Sequence, residues 1–138
     1  EKAWSFKGKW KAHEVTGRDK QVRKQSMFAE TSGDELLIAF TGSGISIEGN
    51  WYRDGGKADI FVDGGLYRSI DTYYNFARQQ HSASIFHVLG LKPGEHYVKL
   101  VVKGEKRPES EGTRVYVTGA TIFKTAAKKS DNFKFSFE

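Results

Sequence analysis

Two polar-aromatic stretches hold the side chains best suited to contact a ligand. The first, Asn50-Trp51-Tyr52-Arg53-Asp54, runs into a Gly-Gly pair; the second begins at Asp71 and carries Tyr73, Tyr74, Asn75, Phe76, Arg78, Gln79, Gln80 and His81. Bulky rings in such stretches lie where the chain runs near solvent. A flat aromatic ring covers the apolar C–H face of a sugar, while Asp, Asn, Gln and Arg pair with its hydroxyls. Trp51, Tyr52, Tyr73 and Tyr74 are therefore the stacking candidates, and Arg53, Asp54, Asn75, Arg78 and Arg107 the polar ones. Arg107 belongs to a third polar loop, Gly104 to Gly112, expected on the same rim. The plainer role for Trp51, Tyr73 or Phe76 is to fold back and cap the end of a core.

Other chemistries find less support. Gly42-Ser43-Gly44 would need a glycine where Ile47 stands to read as a dinucleotide loop, and a strand pattern follows it instead of a helix. No serine lies in a G-x-S-x-G elbow. His13, His81, His87 and His96 lack the i, i+4 spacing of a helical zinc pair, and no cysteine offers a thiolate. Asp54, Asp59, Asp63 and Asp71 are the carboxylates available to a hydrolytic pair or to calcium, yet Asp54 and Asp63 sit in turn sequences, where an Asx side chain has a structural use. No cofactor is called for, and a structural calcium has no sequence signal.

The elements that would position these loops are strands. Period-two alternation recurs at Trp4 to Trp10, Gln25 to Thr31, Glu35 to Thr41, Gly44 to Asn50, Lys57 to Val62, Leu66 to Asp71, Ser84 to Leu89, His96 to Lys103 and Thr113 to Lys124, and ends in Phe133, Phe135 and Phe137. Helical periodicity is missing. Turn signals at Ser32-Gly33-Asp34, Asp54-Gly55-Gly56, Asp63-Gly64-Gly65 and Lys92-Pro93-Gly94 supply the reversals that hairpins need. About nine or ten short strands, read this way, make an all-β sandwich of two antiparallel sheets. Val98, Leu100, Val102, Ile60 and Val62 are expected in the core, and Gly8 marks a bulge or a close crossing in the first strand.

A chain of 138 residues suits one domain spanning residues 1–138. No apolar run is long enough to span a membrane, and Glu1 to Trp10 lack the apolar stretch of an export signal. The formal charge of +5 would draw polyanions, but the basic residues are dispersed, the densest group being Arg18, Lys20, Arg23 and Lys24 around Asp19, followed by Lys128 with Lys129. These read as solvated loop charges.

The order and spacing of Phe40 to Gly49, Gly56 to Gly64, Ile70 to Tyr73, Phe86 to Leu100 and Gly112 to Phe123 resemble the galactose-binding-domain-like jelly roll found beside catalytic domains in bacterial glycoside hydrolases and esterases. The resemblance covers residues 36–124. It implies that the Trp4 strand lies near the Phe133 strand. It also implies a non-catalytic carbohydrate-binding accessory module, cut from a larger multidomain enzyme that is secreted, periplasmic or at the bacterial surface. Its partners would then be a glycan or polysaccharide and the catalytic domain of the parent chain. One alternative is a structural spacer packed on that catalytic domain without binding sugar. Another is a basic nucleic-acid-binding β domain, which needs its aromatics and lysines on one sheet face. A hydrolase would need a nucleophile or a metal set, and the sequence supplies neither.

Overall fold

The computed structural model describes residues 3–75, 83–124 and 130–135, with the backbone alone at Lys24, Gln25 and Ser130. Its strands are β1 (Trp4–Lys7), β2 (Lys11–Thr16), β3 (Val22–Ala29), β4 (Glu35–Gly42), β5 (Gly44–Asn50), β6 (Lys57–Val62), β7 (Gly65–Asp71), β8 (Ala83–Val88), β9 (Gly94–Val102), β10 (Val115–Phe123) and β11 (Ser130–Lys134). A five-stranded sheet has the order β1-β4-β9-β6-β7 and a six-stranded sheet the order β2-β3-β10-β5-β8, with β11 also on β10. All of these strand pairs are antiparallel. The protein is a β-sandwich.

Alternation along each strand explains why the two sheets face one another. In β4, Leu36, Ile38 and Phe40 point inward, and in β9 Val98, Leu100 and Val102 do the same. Ile45 and Ile47 of β5, Val115 and Val117 of β10, and Val88 of β8 meet them from the other sheet. Each fully buried side chain of this size stabilises the fold by roughly 1.5–3 kcal/mol relative to an exposed one. Ile60, Val98, Leu100 and Val102 are fully buried, as expected, whereas Val62 is half-buried at the edge of the core. The Trp4 ring stacks on Phe133 at 5.1 Å, so the two ends of the chain meet.

The structure corrects two readings of the turns. Lys92-Pro93-Gly94 was expected to close a hairpin, but it carries the chain from β8 in one sheet to β9 in the other. Ser32-Gly33-Asp34, between β3 and β4, likewise crosses from sheet to sheet. Of the four turn signals, only Asp63-Gly64-Gly65 closes a hairpin, β6–β7, with Asp63 at φ 50° and Gly64 at φ 89°. Positive φ at both central residues matches the twist of the flanking strands.

Gly8 ends β1 instead of lying inside a longer strand, and there the chain leaves one sheet for the other. A Cβ on it would stand 2.1 Å from Asp34 Oδ1, which accepts a hydrogen bond from Lys9 N–H at 3.1 Å. It is a close crossing, as the sequence suggested. The strand beyond it, β2, was not expected. It pairs with β3 to form a hairpin whose turn holds Arg18 and Lys20, while Arg23 and Lys24 stand in the first residues of β3, Arg23 bonding Asp19 of the turn at 2.6 Å.

Candidate functional site

Three loops converge at one end of the sandwich. The loop after β5 and the segment after β7 join through a parallel bridge between Tyr52 and Tyr73. Tyr74 N–H donates to Tyr52 O at 2.9 Å, and Thr72 Oγ1 donates to Gly56 O at 2.8 Å. The loop after β9 closes over both. Glu111 N–H donates to Arg53 O at 2.8 Å, and the buried Ser110 hydroxyl lies 2.7 Å from Gly55 O and 3.1 Å from Arg53 O. Gly104 to Gly112 therefore joins the rim as expected.

Gly55 and Gly56 serve this convergence differently from the way their sequence suggested. Neither adopts positive φ. A Cβ on Gly55 would lie 2.3 Å from Thr72 O, and one on Gly56 would lie 2.3 Å from Thr113 O. The turn expected here does form, centred on Arg53 and Asp54 and closed by Gly55 N–H donating to Tyr52 O at 3.0 Å, but the glycines are needed because neighbouring backbones press against them.

The expected site residues are brought together in unequal ways. Trp51 is half-buried against the core, and its indole N–H donates to Ser84 O at 3.1 Å, so it is anchored. The Tyr52 ring meets the Tyr116 ring edge-on at 6.4 Å and carries the Arg53 guanidinium at 5.3 Å. Arg53 also lies 3.4 Å from Glu111. Tyr73 N–H donates to Asp71 Oδ1 at 3.1 Å, and its ring lies under Arg107 at 5.2 Å. Arg107 Nε–H donates to Asp71 Oδ2 at 2.8 Å, an ion pair that raises the guanidinium pKa. Tyr74, at 43% exposure, and Asn75 face solvent. Arg78 lies outside the described residues, as do Phe76, Gln79, Gln80 and His81.

Asp54 leads to residues the sequence reading passed over. Its Oδ2 accepts from Tyr116 O–H at 2.9 Å, while its Oδ1 is buried without a hydrogen-bond partner. Tyr116 lies in β10 between two core valines, so its ring points to the outer face of the six-stranded sheet. There it pairs across the sheet with Phe28 on one side and Asn50 on the other. Arg114 stacks over Phe28 at 4.2 Å and reaches Glu30 at 3.6 Å. Burial pushes the Tyr116 phenol well above its ordinary range, and the Arg114 guanidinium pKa is raised, first by its hydrogen bond to that phenol.

Phe28 and Tyr116 are buried yet stand apart from the core cluster. Ser26, Ser46 and Asn50, on the same outer face, are each at most 7% exposed. A sheet face open to water would expose such residues, so this one is recessed beneath the rim. Ser26 Oγ has no hydrogen-bond partner there. Val115-Tyr116-Val117 held the signal that could have found this recess, since a ring between two inward valines must point outward. Among the described residues, no group of three or more His, Asp or Glu could hold a metal ion.

No protein-family model matches the chain, and no curated protein is similar to it in sequence. Solved structures are similar in fold. A two-domain esterase active on acetylated mannans superposes over 85% of this chain and 32% of its own, with TM-score 0.56 and 18% identity. The same kind of esterase co-crystallized with mannopentaose covers all of this chain and 36% of its own, with TM-score 0.57 and 14% identity. A Paenibacillus xanthan lyase covers 85% and 12%, with TM-score 0.51 and 9% identity. The chain thus spans about a third of the esterases and an eighth of the lyase. At these identities the likeness is one of architecture, a β-sandwich of two antiparallel sheets.

Proposed function

We propose that this chain is a non-catalytic carbohydrate-binding module of a secreted bacterial polysaccharide-degrading enzyme, a glycoside hydrolase or an esterase, and that it binds a neutral glycan at the rim. The observation that carries this reading is the convergence of three loops on one rim with the Tyr74 ring and Asn75 exposed at its surface. Exposed Tyr74 offers a ring for stacking. The rim arginines Arg53, Arg107 and Arg114 each face a carboxylate, so the site is close to charge-balanced and suits an uncharged ligand.

Calorimetry of the chain with neutral manno- and xylo-oligosaccharides, at two salt concentrations, tests this. Affinity should change little with salt, because no run of cations is neutralised, whereas nucleic-acid binding would fall steeply. Tyr74→Ala should weaken binding without unfolding the domain. Trp51→Ala should reduce stability as well, because its ring packs on the core. Turnover of glycosides or esters by the chain, abolished by replacing one of its own serines or carboxylates, would overturn the non-catalytic part.

A second reading has its own support. Arg107 with Asp71 and Arg53 with Glu111 are paired within the rim itself, as they would be in a spacer that docks on a catalytic domain. Absence of binding by any of these glycans at millimolar concentration would favour the spacer.

A further inference from the structure

We infer that the edge where β7 and β8 approach carries a second contact, made by Arg68, Tyr67 and Phe86, for the carboxylate of an acidic sugar residue. The inference rests on the carbohydrate reading above but concerns different residues. It starts from two register slips. Between β6 and β7 the pairing jumps from Ile60–Arg68 to Phe61–Leu66, leaving Tyr67 without a partner. Between β5 and β8 it jumps from Ile47–Phe86 to Glu48–Ser84, leaving Ile85 without one. An extra residue of this kind bends its strand and re-aims the local side chains. The two bulges therefore face each other across the gap between the sheets, and aromatic groups from both strands meet there.

The Tyr67 ring packs edge-on against Phe86 at 5.8 Å. The Arg68 guanidinium lies 5.4 Å from the Tyr67 ring centre and 5.7 Å from that of Phe86. Phe86 is 2% exposed and Tyr67 46%, so one ring anchors the arginine while the other stays open to solvent. Among the described residues no carboxylate lies within ion-pair distance of Arg68, in contrast to Arg53, Arg107 and Arg114 of the rim. A guanidinium stacked by its face keeps its N–H edges available, and those edges match a carboxylate in a two-bond fork.

An available guanidinium edge beside an exposed ring fits a ligand with two features, a carboxylate and a flat C–H face next to it. A uronate residue has both. An acidic peptide supplies the carboxylate but no flat face for Tyr67. Arg68 has one structural use here, since its stem covers the buried Phe86 ring. The test must therefore separate lost charge recognition from a loosened edge.

The full chain is titrated calorimetrically with oligogalacturonate, with oligoglucuronate, and with the same oligomers after reduction of their carboxylates to alcohols. At least one acidic oligomer should bind about tenfold or more tightly than its reduced form. Arg68→Gln should abolish that difference while neutral-glycan binding and the near-ultraviolet circular dichroism stay as in the parent. Arg68→Lys should restore only part of it, because a lysine keeps the charge but not the fork. Tyr74→Ala, at the rim, should weaken neutral binding and leave the gain from the carboxylate in place. Equal binding of acidic and reduced oligomers overturns the proposal, and if the neutral forms still bind, the rim reading survives it. An unchanged preference in Arg68→Gln, or oligoglutamate binding as tightly as the uronates, overturns it too. If neither acidic nor neutral oligomers bind, both readings fall together.

Discussion

The two ends of the sandwich are both tied by charged hydrogen bonds, but by groups of different kinds. At the rim, the ties are guanidinium to carboxylate and phenol to carboxylate: Arg107 with Asp71, Arg53 with Glu111, and Tyr116 with Asp54. At the far end the β6–β7 turn is tied to β9 and its approach through one imidazole. His96 Nδ1 lies 2.6 Å from Asp63 Oδ2, and its Nε2 lies 2.5 Å from Lys92 O. Asp63 Oδ1 also accepts from Tyr97 N–H at 2.9 Å. At the rim, the bond to Asp71 raises the Arg107 guanidinium pKa and burial raises that of the Tyr116 phenol. The far end depends instead on an imidazole, whose ordinary pKa lies near neutrality.

Leu100 lies in the core that the two ends share, and its loss should break both. Leu100→Ala should cost about 2–5 kcal/mol, because the side chain is fully buried in the middle of β9 and truncation leaves a cavity. Urea unfolding followed by circular dichroism measures this, and a loss below about 1 kcal/mol would place that face at the surface. The next largest effect belongs to the rim alone. Tyr116→Phe keeps the ring but removes the donor to Asp54, whose other oxygen already lacks a partner. About 1–3 kcal/mol should be lost. Chemical shifts should move around residues 52–55 and 110–116 while His96 and Asp63 keep theirs. Movement at both ends would mean that the rim is not an independent unit.

The strands around the core were legible because one face of each is apolar. β9 alternates Val98, Leu100 and Val102 with Tyr97, Lys99 and Val101, and burial follows that alternation. β2 was not legible, since its one apolar residue opposite a core residue is Ala12, across from Met27, and Lys11 and His13 flank it. Turn residues announced where the chain bends but not which strand it would join. Gly42-Ser43-Gly44 and Lys92-Pro93-Gly94 both move the chain between sheets, and such pairings are decided by contacts distant in sequence. The candidate site was half legible. Its loops stood out by composition, and Asp54 and Arg107 were found in them. The partners they chose, Tyr116 and Asp71, depend on the convergence of β5, β7, β9 and β10, and no local pattern encodes it.

The smallest expected effect is the most specific to the comparison, because it concerns one proton at the far end. Both ring nitrogens of His96 face acceptors, a carboxylate and a carbonyl, so the doubly protonated ring satisfies both and the neutral ring must leave one nitrogen lone pair against an oxygen. The hydrogen bond to Asp63 raises the His96 pKa above 6.5, helped by the Lys92 carbonyl and opposed by burial. The same bond to His96, with the Tyr97 amide, lowers the Asp63 pKa below 3.8. A raised histidine pKa contributes stability that is fully present below the unfolded value and lost as pH rises through the folded one; a lowered aspartate pKa contributes stability present above the unfolded value and lost as pH falls through the folded one. The clamp should therefore be complete between about pH 4 and 6.5, and stability should decline as pH rises from 6.5 toward 9. His96→Asn should flatten that upper slope and leave glycan binding at the rim unchanged. Urea midpoints of parent and variant across pH 5 to 9 decide the matter. A parent whose midpoint is level through this range, or a variant that keeps the parent's slope, would show that the far end does not depend on the imidazolium.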